Sequence, residues 1–304
     1  VRGREEKVEA FSLAEEVTER TEIRRRAPAS GFVGRTEELA LLRDAWNAER
    51  GGFVVVEGEA GVGKTRLVAE FRAGVRRAGG AWVGVGRAVE EVRLPLAAPG
   101  EILRGETGAA DVDRFVAALI SQLAVSEPSP TDRENFAHLI ALSTGLSVPG
   151  ARVTAIEPAR IAAETHHAWG RWIAARAAAS GGRALLCVED LQWADEATLA
   201  LLESLAARPP VAGLLVLATA RPGARPPAGY RRFPLVELPA AAAHQLAAAA
   251  LGPAASPEQA AFLAEKAGGH PLYLEELARF LREEPSAAAG IPGGLHGLRV
   301  ARVD

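Results

Sequence analysis

The stretch that most constrains this chain runs from residue 58 to 65, Gly-Glu-Ala-Gly-Val-Gly-Lys-Thr. Before it lies a short β-branched run, Phe53 to Glu57, that reads as a buried strand. After it comes a helical pattern with Leu67, Val68 and Phe71 on one side. The spacing G-x-x-x-x-G-K-[ST] puts Gly58, Gly63, Lys64 and Thr65 in fixed places. Glycines let consecutive backbone N–H groups turn inward around a phosphate. The helix that begins at Gly63 aims its positive end at the same point. Lys64 supplies a charge for the β- and γ-phosphates, and the Thr65 hydroxyl is a ligand for Mg²⁺. The loop residues Gly58, Ala60, Gly61, Val62, Gly63, Lys64, Thr65 and Arg66 form the expected nucleotide-binding set. The chain has only three lysines in 304 residues, and one stands where phosphate chemistry needs it.

A strand, a phosphate loop and a helix imply an α/β architecture, and the rest of the chain agrees. Ala81–Gly86, Arg183–Asp190, Leu214–Thr219 and Phe233–Leu238 read as further strands, separated by helical stretches. That alternation predicts a parallel sheet of five strands covered by helices on both faces. A helix is expected from Thr36 to Glu49, with Thr36 as its cap and Leu39, Leu42 and Trp46 as its apolar stripe. Residues 95–180 are helical with turn breaks, and helices return from Ala240 onward. The expected organisation is a linker over 1–30, a nucleotide-binding core over 31–239, a helical subdomain over 240–286 and a further short segment over 287–304.

Composition narrows the function classes. The chain is 48% apolar and 24% charged, as a globular protein is. A net charge of −3 argues against a broad nucleic-acid footprint. The single cysteine, Cys187, excludes an internal disulfide and fits a reducing, cytoplasmic compartment. The apolar runs are too short to span a bilayer. The chain starts at Val1 without any Met and ends abruptly, so a longer parent polypeptide is expected.

Phosphate chemistry needs an acid for Mg²⁺ and a group that orients water. The strand ending Val188-Glu189-Asp190 offers two carboxylates at the strand end, where open parallel sheets bind ligands. Successive strand side chains point to opposite faces. Glu189 is therefore assigned to the metal beside Thr65, and Asp190 to the attacking water. Asp195 suits the N-cap of the next helix. Arg221, after the strand expected beside the phosphate-loop strand, can reach the third phosphate. Gly84-Val85-Gly86 lacks the third glycine of a dinucleotide fingerprint. His166-His167 has no further His or Cys nearby to complete a metal site. The other two lysines, Lys7 and Lys266, follow Glu residues and do not form a guanine-reading Asn-Lys-x-Asp.

Five segments in order resemble the STAND class of signal-transducing P-loop ATPases, relatives of the AAA+ ATPases. They are Phe-Val-Gly-Arg-Thr-Glu-Glu-Leu at 32–39, the loop at 58–65, Leu-Leu-Cys-Val-Glu-Asp-Leu-Gln-Trp-Ala-Asp at 185–195, Ala-Thr-Ala-Arg at 218–221 and Gly-Gly-His-Pro-Leu-Tyr-Leu-Glu-Glu-Leu at 268–277. The resemblance implies ATP or ADP with Mg²⁺ as ligands, slow hydrolysis, and a switch that self-associates in the ATP form. It implies that Val33, Gly34 and Arg35 lie near the adenine, that Pro271 packs against the base or ribose, and that Arg221 senses the third phosphate. Residues 291–304 resemble the opening of a winged helix. Residues 1–13 resemble the tail of a class III nucleotide cyclase domain, which suggests an upstream cyclase or a downstream output domain in the parent. The rival parents are a large helix-turn-helix transcription regulator or a DNA-associated AAA+ protein. No nucleic-acid site is visible in the chain itself.

Overall fold

The computed structural model describes residues 31–48, 51–92, 94–109, 111–151, 157–253 and 255–283. The linker expected over 1–30, its cyclase-like resemblance and the segment over 287–304 lie outside the described residues. Among those described, β1 (Gly52–Glu57), β2 (Ala81–Arg87), β3 (Arg183–Glu189), β4 (Gly213–Ala220) and β5 (Arg231–Pro234) form one sheet in the order β2-β3-β4-β1-β5. Every neighbouring pair is parallel. The phosphate-loop strand is an inner strand, flanked by β4 and the edge strand β5.

The strands are apolar on both faces because both faces are covered. Phe53, Val55, Leu186, Val188, Val216 and Ala218 point to one side. There they meet α3 (Ala97–Thr107), α4 (Val112–Leu123), α5 (Pro130–Ser143), α6 (Pro158–Ala178) and α7 (Glu196–Ala207). Val54, Val56, Leu185, Cys187, Leu215 and Leu217 point to the other, against α1 (Thr36–Asn47) and α2 (Lys64–Ala78). This period of two is what pleated backbone dictates, and parallel strands bury both sets. A third apolar cluster joins α8 (Ala240–Leu251), α9 (Pro257–Ala267) and α10 (Pro271–Glu283), with Leu246, Leu263, Leu274 and Leu277 at its centre.

Helix starts follow local chemistry. Asp111, Ser129, Asp195 and Ser256 each accept a backbone N–H as N-caps of α4, α5, α7 and α9. Three expectations shift. Thr36 is the first helical residue, and Arg35, in the left-handed region, precedes it as the N-cap without a side-chain cap bond. Trp46 is half-buried and stacks under Arg183, so Ala45 replaces it in the buried stripe of α1. β5 ends at Pro234 rather than running from Phe233 to Leu238. A proline in this edge strand offers no N–H for the ladder. Leu235 and Leu238 are buried from the segment that follows. The Gly84-Val85-Gly86 pattern serves packing: a Cβ at Gly86 would meet the Ala98 carbonyl oxygen at 2.0 Å. Among the described residues no helix is long and apolar enough to cross a membrane.

Candidate functional site

The loop between β1 and α2 curls because three glycines permit it. Gly61 and Gly63 hold φ of 82° and 101°, and a Cβ at Gly58 would strike the Leu235 carbonyl oxygen at 2.4 Å. α2 then begins at Lys64 with no side chain capping its first turn. The first N–H groups of a helix have no intrahelical partner. An uncapped first turn beneath a glycine loop therefore presents free donors and the positive end of the helix dipole to an anion. Lys64 is buried, and its Nζ donates to the carbonyls of Gly58 (2.7 Å) and Glu59 (2.8 Å). An ammonium has three donors, so one remains for a ligand. Burial lowers the Lys64 pKa most. Asp190 counters this, Arg221 lowers it further, and Glu59 raises it. Lys64, Asp190 and Arg221 thus share one field. Thr65 is exposed.

Glu189 is the last residue of β3 and only 4% exposed. Its Oε2 accepts from Arg87 Nη2 at the end of β2, and its Oε1 lies 3.7 Å from Arg72 Nη1 on α2. Both carboxylate oxygens are therefore committed to arginines, which differs from the expectation that Glu189 stands ready for a metal. Asp190 has left the strand. Its φ of 62° is left-handed, so strand alternation no longer decides where it points. Its N–H donates to Thr219 Oγ1 (2.9 Å), and its Oδ1 accepts from Gln192 Nε2 (3.2 Å). Gln192 Oε1 in turn accepts from the Arg221 N–H (3.1 Å). The Arg221 guanidinium lies 5.9 Å from the Trp193 ring centre. An open cleft of about 500 Å³ separates the Leu191–Ala194 turn from Arg221–Arg225. Asp195 caps α7 and also takes the N–H groups of Leu96 and Ala97, so it ties the start of α3 to this turn.

The resemblance-derived residues gather on the other side of the loop. Val33 packs against the α8–α10 cluster, and Gly34 backs onto Ala242 so closely that a Cβ would lie 2.8 Å from it. Buried Arg35 donates to the carbonyls of Val62 (3.2 Å) and Val236 (2.5 Å) and pairs with Glu38. Pro271 opens α10. Next to it, the Leu272 N–H donates to the Gly61 carbonyl (3.2 Å), and His270 Nε2 lies 2.9 Å from the Ala60 carbonyl. Arg66 pairs with Glu275 at 3.2 Å. The helical cluster is thus hydrogen-bonded directly to the phosphate loop.

A family model described as the AAA ATPase domain matches residues 31–217, more than half of the chain and all of β1 to β3 with the loop between. The chain belongs to the AAA ATPase domain family. No curated protein matches it significantly. Among solved structures it is similar to a Signal Transduction ATPase with Numerous Domains (STAND) protein with a tetratricopeptide repeat sensor from Pyrococcus horikoshii. The identity is 21% and the TM-score 0.44, over 86% of this chain and 33% of that one. It thus spans about a third of that protein's length. It is also similar to a chain of the Drosophila ORC bound to DNA, at 14% identity and TM-score 0.49 over 97% and 69%. The ORC1 protein of Aeropyrum pernix in complex with DNA is similar at 13% and 0.44 over 90% and 66%. The sensor and the DNA in those descriptions belong to those proteins.

Two partners in this AAA ATPase domain escaped sequence reasoning. Arg87 stands opposite Glu189 in the β2–β3 register, a position that only strand pairing reveals. A cation ending an alternating strand was the available signal. His270 sits inside the quoted Gly-Gly-His-Pro segment, but its target, the Ala60 carbonyl, is 210 residues away. The single thiol, Cys187, is buried between β3 and the α1–α2 layer and its pKa is pushed up to about 12, so it plays no part as a nucleophile. His167 packs edge-on against Phe136. Among the described residues no group of three or more His, Cys, Asp or Glu side chains forms a metal cluster.

Proposed function

We propose that this AAA ATPase domain is a Mg²⁺-dependent, slowly hydrolysing ATP switch module of the STAND type, from a cytoplasmic multidomain signalling protein. The observation that carries this reading is the uncapped start of α2, with Lys64 buried beneath it and Asp190 and Arg221 in its field. The donor set suits a nucleoside phosphate. The free N–H groups of the first turn and the third donor of Lys64 would take phosphate oxygens. The exposed Thr65 hydroxyl and the Asp190 carboxylate would hold the Mg²⁺ side, where oxygen ligands are preferred. Bound Mg²⁺ would neutralise charge on the transferred phosphoryl group.

Asp190 would also take up the proton of an attacking water, and Arg221 would face the third phosphate. Glu189 acts instead as the buried counter-ion of Arg87 and Arg72, which departs from its expected metal role. Val33 to Arg35 and Pro271 flank the loop on the α8–α10 side, where an adenine would sit. Contact between α10 and the loop supports a closed resting state, since the Gly61 carbonyl and the Leu272 N–H must part for the helices to move. ATP-dependent self-association follows from the same reading. The test is calorimetric titration with ATP and with ADP, with and without Mg²⁺, followed by single-turnover hydrolysis. Micromolar or tighter Mg²⁺-dependent ATP binding with slow turnover is expected. Absence of nucleotide binding overturns the reading.

A further inference from the structure

Gln192 lies in the middle of the one-turn segment Leu191–Trp193 that links β3 to α7. Both ends of its amide are used. Nε2 donates to Asp190 Oδ1 at 3.2 Å, and Oε1 accepts from the Arg221 N–H at 3.1 Å. The assignment of oxygen and nitrogen follows from the partners: a carboxylate only accepts, and a backbone N–H only donates. Asp190 is tied a second time to the same strand end, because its own N–H donates to Thr219 Oγ1. The contacts close a ring through Asp190, Gln192, Arg221 and Thr219.

The ring has a clear task. Backbone pairing of β3 with β4 ends at Val188 opposite Ala218. Beyond that level the two strand ends carry the acid and the arginine, and no ladder holds them in register. We propose that Gln192 is a positioning residue for nucleotide hydrolysis, fixing the Asp190 carboxylate and Arg221 relative to each other across the end of the β3–β4 pair. The inference rests on the ATPase reading above and assigns Gln192 a role exerted through Asp190 and Arg221.

Two further observations favour this over a purely structural role. Asp190 holds a left-handed φ of 62°, a conformation a non-glycine residue keeps only where its surroundings over-determine it. The carboxylate also has a competing neighbour. Arg87 Nε lies 3.7 Å from Asp190 Oδ2, is buried, and has no hydrogen-bond partner of its own. Without the Gln192 amide, that guanidinium is the group the carboxylate would turn to. Displacement of a reacting group by about an ångström costs on the order of a hundredfold in rate.

The test uses the whole chain with Gln192→Leu, which removes both amide ends at similar volume, and Gln192→Glu. The glutamate variant keeps an oxygen for the Arg221 N–H but sets a second carboxylate against Asp190. Single-turnover hydrolysis is measured together with Mg·ATP affinity, ADP affinity and Tm. Both variants should hydrolyse more slowly, by roughly tenfold to a hundredfold, with ADP affinity and Tm unchanged. In an Asp190→Asn background, Gln192→Leu should cost clearly less than it does in the parent, since groups acting as one unit are not additive. A parent-like rate for either variant overturns the proposal. So does an additive effect in the double variant, or an ADP affinity that falls along with that of ATP. Absence of Mg·ATP binding in the unaltered chain overturns both the ATPase reading and this one. Normal binding there with an indifferent Gln192 overturns this one alone.

Discussion

Replacing Glu189 by Gln separates the two acids at the end of β3 by their effect on stability. Glu189 is 4% exposed, and its oxygens face Arg87 and Arg72. Glutamine keeps the shape but removes the charge, which leaves two guanidinium groups against a neutral amide. Breaking a fully buried pair from one side costs about 3–5 kcal/mol. Here the arginine side chains retain 28% and 21% exposure, so water takes over part of their solvation. A loss of about 2 kcal/mol is the reasonable expectation. For a chain of this size, each kcal/mol moves Tm by about 2–4 °C, so Tm should fall by about 4–8 °C. Asp190→Asn should behave differently. Its carboxylate is partly exposed, its ionic neighbour stands at 3.7 Å, and an asparagine oxygen can still accept from Gln192. Its Tm should hardly move, while hydrolysis falls by ten- to ten-thousand-fold for a lost general base. Scanning calorimetry without nucleotide measures the first effect, and single-turnover assays measure the second. A Glu189→Gln variant as stable as the parent that nonetheless loses Mg²⁺-dependent ATP binding would refute the reasoning. It would return the metal to Glu189.

Other outcomes follow from the same geometry. Lys64→Ala should abolish most ATP affinity in calorimetry while the fold, followed by circular dichroism, persists; unchanged affinity would remove the phosphate-loop assignment. ATP should displace a fluorescent nucleotide better than GTP, because the sequence lacks a guanine-reading motif; equal displacement would cancel the adenine preference. Arg221→Ala should weaken ATP binding and leave ADP binding near normal, and equal loss for both would place its guanidinium away from the third phosphate. Cys187 should stay unreactive toward thiol reagents until the sheet unfolds; rapid labelling of the native chain would contradict its burial.

The fold was legible because its signals are local and repeated. The strand–loop–helix at 52–78 is fixed by β-branched residues, glycine spacing and helical periodicity within one window. The parallel order follows from alternation of elements along the chain. Asp195 as a cap was likewise readable from residue type and position. What could not be read was how strand ends meet. Alternation is a property of extended backbone, and it was applied to Glu189 and Asp190 as if both lay in β3. The strand stops at Glu189, and after the left-handed turn at Asp190 the second carboxylate meets Gln192 and Arg87. Sequence shows two adjacent acids; it does not show the residue at which the pleat ends.

The arginine at the end of β2 makes the same point from the other side. In sequence Arg87 is 102 residues from Glu189. It becomes a neighbour only because β2 is the edge strand beside β3, in a register that puts Arg87 opposite Glu189. Once that register is known, the chemistry is forced. A buried carboxylate already paired with two guanidinium groups is the less available of the two acids for a second cation. On the proposed reading, the choice between Glu189 and Asp190 is set from β2, a strand that carries none of the motifs that identify the nucleotide site. Exchange of Arg87 for a neutral residue of similar length tests this directly. Arg87→Met should leave Glu189 with Arg72 alone and free one of its oxygens. If Asp190→Asn weakens Mg²⁺-dependent ATP binding in the parent but not beside Arg87→Met, Glu189 has taken over the metal side. If the defect persists unchanged, the preference for Asp190 comes from the turn at its own backbone and not from the arginine that occupies its neighbour.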